Sequence, residues 1–170
     1  PLSVGGIRQQ FSIRENVEIG LYAREFVGKA ADLLEVDGER PDLTFVENGY
    51  LFLAPPEGRD ILAENHAVQT GAGAAISWLE TDELARRFPY INTDGVAVAT
   101  FGERGEGWID PNTLLQALKR KAQTALVNVQ KDQDRVLLDA RPDVCSSVQD
   151  FMTGMSALRE QRGRLITLQD

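Results

Sequence analysis

The run Val4-Gly5-Gly6-Ile7-Arg8-Gln9-Gln10-Phe11-Ser12 constrains the fold most, because it demands a turn and a helix entrance in immediate succession. Two adjacent glycines permit positive φ and close backbone approach. A guanidinium, two amides and an aromatic ring follow at once. Ser12-Ile13-Arg14-Glu15 then fits a capping box, in which a serine oxygen and a glutamate three residues on close a helix start. A glycine loop that delivers an arginine to a helix entrance suits an anion, since the Arg8 fork and nearby backbone N–H groups can act on one ligand. An ordinary Gly-Gly turn with a solvated arginine would satisfy the same local pattern.

The helical pattern runs from Ser12 to about Glu35, with Tyr22, Phe26, Ala30 and Leu33 on the expected apolar face. Gly20 and Gly28 each weaken this helix by about 1 kcal/mol relative to alanine, so it needs tertiary support or close packing. Two β-prone runs, Leu43–Glu47 and Tyr50–Ala54, flank Asn48-Gly49 and predict a hairpin with its second strand buried on both faces. A helix over 57–70, a strand from Ala75 to Leu79, a short helix capped near Thr81 and a strand from Val96 to Phe101 follow. The glycine- and charge-rich segment Gly102–Gly107 reads as a surface loop. It leads to Asp110, a good N-cap, and Pro111, which suits a first helical position. Leu114, Leu115, Leu118 and Ala122 then share one face. Strands are expected over Leu126–Gln130 and Arg135–Leu138, a helix over 144–160, and a last strand over Arg164–Leu168.

Hydrophobic residues make up 42% and charged residues 26% of the 170, which is enough to bury a core. The formal net charge of −8 argues against a nucleic-acid partner. No apolar run approaches the roughly 20 residues of a membrane span. Cys145 is the single cysteine and His66 the single histidine. An intramolecular disulfide and a cysteine-based zinc site are therefore excluded, and His66 reads as a surface histidine of a helix. The carboxylate pairs Asp82/Glu83, Glu103/Glu106 and Asp132/Asp134 read as solvated, and Tyr90 and Trp108 as packing residues. There is no Gly-x-Gly-x-x-Gly after a strand and no Gly-x4-Gly-Lys-Ser/Thr loop. Acids in Gly102–Gly107 would repel a pyrophosphate.

Five segments taken together carry a resemblance: Ser3–Ser12, Glu15-Asn16, Gly49-Tyr50-Leu51, Phe88-Pro89-Tyr90-Ile91-Asn92 and Glu106-Gly107-Trp108-Ile109-Asp110-Pro111. In order and spacing they resemble the FAD-dependent oxidoreductases of the D-amino-acid oxidase superfamily, on the branch with sarcosine oxidase and dimethylglycine dehydrogenase. The resemblance covers residues 1 to about 123. It implies an α+β fold whose mixed, largely antiparallel sheet, packed by helices, covers the flavin and holds the substrate. It also implies FAD as cofactor, a small amino-acid-like substrate bound by Arg8 and Gln10, and a flavin passing the backbone at Ser3, Gly5 and Gly6. A protein partner or a dimer is compatible with it, as is a bacterial cytoplasm or a mitochondrial matrix.

From about Thr124 the family pattern is lost, and residues 124–170 form a divergent tail expected as strand-helix-strand. Under the resemblance, the dinucleotide fingerprint is expected before Pro1 and a flavin-contacting segment after Asp170, as for a truncated or frameshifted product. This chain alone is then expected not to hold FAD tightly. Two functions stay open on these residues. One is part of an oxidoreductase passing a hydride from a small amino or N-methylamino acid to flavin. The other is a non-catalytic assembly module, or inactive fragment, that keeps the fold.

Overall fold

Strands in this protein find partners far along the chain. In the computed structural model, which describes residues 4–141 and 143–167, the chain divides into two units, one ending at Ala117 and one beginning at Leu118. The first unit contains β1 (Gly6–Ile7), α1 (Arg14–Leu33), β2 (Leu51–Ala54), α2 (Arg59–Gly71), β3 (Ile76–Glu80), α3 (Thr81–Arg87), β4 (Val98–Gly102), β5 (Gly107–Trp108) and the first turns of α4 (Pro111–Asp139). β2, β4 and β3 form an antiparallel sheet in that order, with Leu53 opposite Ala99 and Trp78 opposite Thr100. β1 and β5 form a second antiparallel pair, with Gly6 opposite Trp108. The architecture is the expected α+β one, and every named strand pairing is antiparallel.

Small residues explain why β4 can be central. Val98, Ala99 and Thr100 are all essentially fully buried, and their short side chains let helices close over the strand. On one side Leu79, Leu84 and Ala99 pack with Phe88 and Phe101. Val17 of α1 meets Ala74 and Ile76, while Ala30, Leu34, Leu43, Ile109 and Ala117 gather α1, β5 and the start of α4. Full burial of each large aliphatic side chain contributes about 1.5–3 kcal/mol.

Several local expectations fail for visible reasons. The capping box does not form: Ile13 is the N-cap of α1 and makes no side-chain cap bond. The buried face of α1 is Val17, Gly20 and Ala30, while Tyr22 and Leu33 are exposed. The 43–54 hairpin is absent because Thr44 takes φ +52, with its N–H donated to Asp42 Oδ1 at 2.8 Å, which breaks the first run. Val46 instead bridges Trp108, and the Gly49 N–H reaches the Glu106 carbonyl at 3.0 Å. Asn48-Gly49 thus hands the chain from the small sheet to the larger one. β2 is an edge strand, and Leu53 is exposed. At α3 the N-cap is Glu80, while the Thr81 hydroxyl donates to the Val96 and Ala97 carbonyls.

The second unit is helical. Both strands expected between Leu126 and Leu138 are turns of α4, and α5 spans Val148–Thr167. No glycine or proline interrupts 112–141, and extending an existing helix needs far less than nucleating a strand pair. The strand expected at Arg164–Leu168 is helix through Thr167, and Leu168 lies outside the described residues. The Ser147 hydroxyl caps α5 by accepting the Asp150 N–H, and Gly154 sits against Ala140.

Candidate functional site

Three segments of the first unit build the surroundings of Arg8. β1 is held by β5, and the Gly5 carbonyl accepts the Ile109 N–H at 3.0 Å, so the glycine pair is clamped on one side. Gly5 is buried at φ +68 and Gly6 is exposed. Ser3 lies outside the described residues. Beyond β1 the chain passes α1 so closely that a Cβ at Gly20 would stand 2.3 Å from the Arg8 carbonyl oxygen. The glycine that weakens the helix is what admits the loop.

The next turn is held from inside by a carboxylate. Glu106, fully buried, accepts the Gln9 N–H at 2.5 Å and the Gln10 N–H at 3.0 Å on Oε1, and the Gln10 side-chain amide at 2.8 Å on Oε2. The other amide hydrogen of Gln10 goes to the Tyr50 carbonyl, and its oxygen accepts the Thr100 hydroxyl at 2.7 Å. Among the described residues no cation pairs with Glu106. Burying such a group is tolerable only because three N–H donors replace its water. Gly102 makes the space: a Cβ there would stand 1.9 Å from Glu106 Oε2.

This overturns two expectations. Gly102–Gly107 is not simply a surface loop, and Glu106 is not a solvated carboxylate. Its partner in that reading, Glu103, is exposed and takes hydrogen bonds from Ser77 and Arg87, which hold its carboxyl below the usual range. Only the spacing of Glu106 between Gly105 and Gly107 could have signalled its burial, and the surrounding charges mask that. His66 is half-buried rather than on the surface, its Nε2 donating to the Ile76 carbonyl at 3.0 Å. Tyr90 and Trp108 are both exposed, so neither is a core residue.

With its backbone held, Arg8 projects a half-buried guanidinium over the Phe11 ring at 4.5 Å, with Phe52 at 5.5 Å. Aromatic faces hold a guanidinium by cation–π attraction and leave its N–H edge free. Among the described residues no carboxylate pairs with it. Arg8 and Phe11 stand between two hollows. One, of about 530 Å³, is lined by Val4, Gly6, Ile7, Ile19, Ala23 and Tyr50 among others. The second, of about 250 Å³, is lined by Gln10, Phe52, Asn65, Gln69 and Thr100 among others. Gln10 therefore stands at the wall of the second, but both its amide hydrogens are already used.

Such a fold sets a cation between two hollows, an arrangement suited to an anionic ligand. Residues 3–149 match the FAD dependent oxidoreductase (DAO) family, and the chain belongs to it. FAD-dependent oxidoreductase domain-containing protein 1 of Xenopus laevis is 48% identical over 122 residues, covering 71% of this chain and 24% of that protein. The Bos taurus protein of the same name is 46% identical over 124 residues, covering 72% and 26%. The chain thus spans about a quarter of the length of these curated relatives. Among solved structures, L-proline dehydrogenase from P. horikoshii superposes with a TM-score of 0.59 at 25% identity over 71% of this chain and 30% of its own. Glycine oxidase from Geobacillus kaustophilus gives 0.58 at 26% identity over 72% and 34%.

The family's cofactor is FAD, and the larger hollow suits part of it. Its walls are mostly apolar, with the exposed Gly6 backbone and the Tyr50 ring among them, the Tyr50 hydroxyl standing where a Cβ of residue 6 would point. The glycines at 102–107 do not suit its pyrophosphate, because Glu106 occupies that turn as a buried acceptor. Among the described residues no cluster of acids, histidine or cysteine could hold a metal, and no helix is long and apolar enough to cross a membrane.

Proposed function

We propose that this chain forms the substrate-holding face of an FAD-dependent oxidoreductase that acts on a small amino or N-methylamino acid. The observation that carries it is Arg8, a half-buried cation stacked on Phe11 and Phe52 with no carboxylate partner among the described residues. Two solved neighbours bear the names of amino-acid enzymes, for proline and for glycine. When bound, FAD supplies the acceptor for a hydride equivalent.

The protein's own residues bind, orient and exclude water. The Arg8 fork pairs with the substrate carboxylate through two parallel N–H bonds, which fixes direction as well as position. Phe11 and Phe52 keep the guanidinium planar to the site and displace water, strengthening that pair. When FAD is bound, Gly5 and Gly6 would provide backbone beside it. Gln10 acts on substrate chiefly by shaping the loop, with one lone pair of its oxygen left for a direct contact.

Arg8→Lys in the flavin-loaded full-length protein tests this. Lysine keeps the charge and loses the fork. The loss of one charge-assisted bond, about 1.5–3 kcal/mol, lowers kcat/KM for an amino acid by roughly ten- to a hundredfold. Flavin content and thermal stability should hold. A wild type that oxidises amino-acid amides as well as the acids refutes the carboxylate role, and a flavin unbleached by any amino acid favours the assembly-module reading.

A further inference from the structure

We infer that Glu106 is a positioning residue for anion recognition: through the backbone of Gln9 and Gln10 it sets where the Arg8 guanidinium stands. This rests on the reading of Arg8 as the carboxylate anchor. Glu106 does not face either hollow, and its oxygens are spent on Gln9 N, Gln10 N and Gln10 Nε2. Both backbone donors belong to the residues directly after Arg8, so the carboxylate fixes the peptide planes that aim its side chain. A second tether makes the arrangement directional: Gln10 also binds the Tyr50 carbonyl and the Thr100 hydroxyl, tying the loop to β4 and to the residue preceding β2.

The charge matters here as well as the shape. A carboxylate accepts on both oxygens, which is what three converging N–H donors require. Glutamine at 106 cannot reproduce this. With its oxygen toward the two backbone N–H groups, its NH2 faces the NH2 of Gln10. Turning the Gln10 amide to accept would set its oxygen against the Tyr50 carbonyl, so one buried group is always mismatched. The mismatch lies one to two residues from Arg8, and the loop relaxes there first.

Propionate and propionamide binding to the flavin-loaded full-length protein, read by calorimetry in wild type, Glu106→Gln, Arg8→Met and the double variant, tests the inference. Wild type should prefer propionate. Glu106→Gln should weaken propionate by roughly tenfold, the scale of one charge-assisted bond, and leave propionamide unchanged. In the Arg8→Met background the same substitution should change neither ligand. Glu106→Asp, which keeps the charge one methylene short, should give a smaller loss of the same kind and serves where Glu106→Gln does not fold. A wild type that prefers propionate, with Glu106 variants that prefer it equally, overturns the inference and leaves the Arg8 reading standing. A wild type that takes both ligands alike overturns both. Weakening by Glu106→Gln that persists without Arg8 marks a merely structural carboxylate and overturns the inference too.

Discussion

Helix α1 carries a matched experiment in Gly20 and Gly28. Alanine at either helical position removes a glycine penalty of about 1 kcal/mol. At Gly28 nothing stands within 4 Å of the added methyl, so Gly28→Ala should stabilise the protein by about that amount. At Gly20 the methyl would lie 2.3 Å from the Arg8 carbonyl oxygen and 3.3 Å from Gln9 Cα, both backbone atoms. A non-bonded contact wants more than 3 Å, so loop and helix must part by roughly 1 Å. Overpacking of this kind costs about 1–3 kcal/mol, which cancels or exceeds the propensity gain. Gly20→Ala should therefore be neutral or destabilised by up to about 2 kcal/mol. Urea unfolding of this chain followed by circular dichroism measures both. Equal stabilisation by the two substitutions would refute the close approach of the loop to the helix, and with it the placement of Arg8.

Other outcomes follow from the same geometry. Arg59 donates to both Glu80 oxygens, with Trp78 adding a third bond, and these hold the Glu80 carboxyl down at about 2. A lowered folded-state value means the contribution is complete above the ordinary value of 4.5 and is lost as pH falls toward 2. The drop in melting temperature between pH 5 and pH 2.5 should therefore be smaller in Glu80→Gln than in wild type, and an identical drop would remove Glu80 from the account. The 170-residue chain, loaded with FAD and dialysed, should lose its yellow colour, because pyrophosphate normally rests on a glycine turn at a helix N-terminus that this sequence lacks. Chain that stays yellow would show that another part of it holds the dinucleotide.

Legibility in the sequence tracked how local the governing physics was. Asp110 and Pro111 start α4 as read, with Asp110 accepting the Asn112 N–H at 2.9 Å and the Thr113 hydroxyl at 2.7 Å. α2, β3 and β4 were also legible from their punctuation. The hairpin was not, because Asn48-Gly49 satisfies a turn whichever strands it joins, and Val46 found Trp108 instead. Val127-Asn128-Val129 alternates like a strand, yet the helix already running through Leu114 absorbs it. Glu106 was the largest miss. Its burial depends on donors at Gln9 and Gln10, 97 and 96 residues away, and on the missing side chain of Gly102. The five ordered segments between Ser3 and Pro111 pointed to the family nonetheless, since spacing over that length records contacts that no single window does.

The distance from Gln9 and Gln10 to Glu106 also governs when the site can exist. As the chain leaves the ribosome, Arg8 emerges well before Glu106, the partner that shapes its loop, which arrives 97 residues after Gln9. Until then the segment has no reason to hold its turn, and closing so long a loop is slow. Any product that stops short of Glu106 carries the arginine without a site. Conversely, an anion bound to Arg8 reports on the whole first unit: it favours the state in which the Arg8 loop and Glu106 have met, and so raises the resistance of the entire unit to unfolding by linkage.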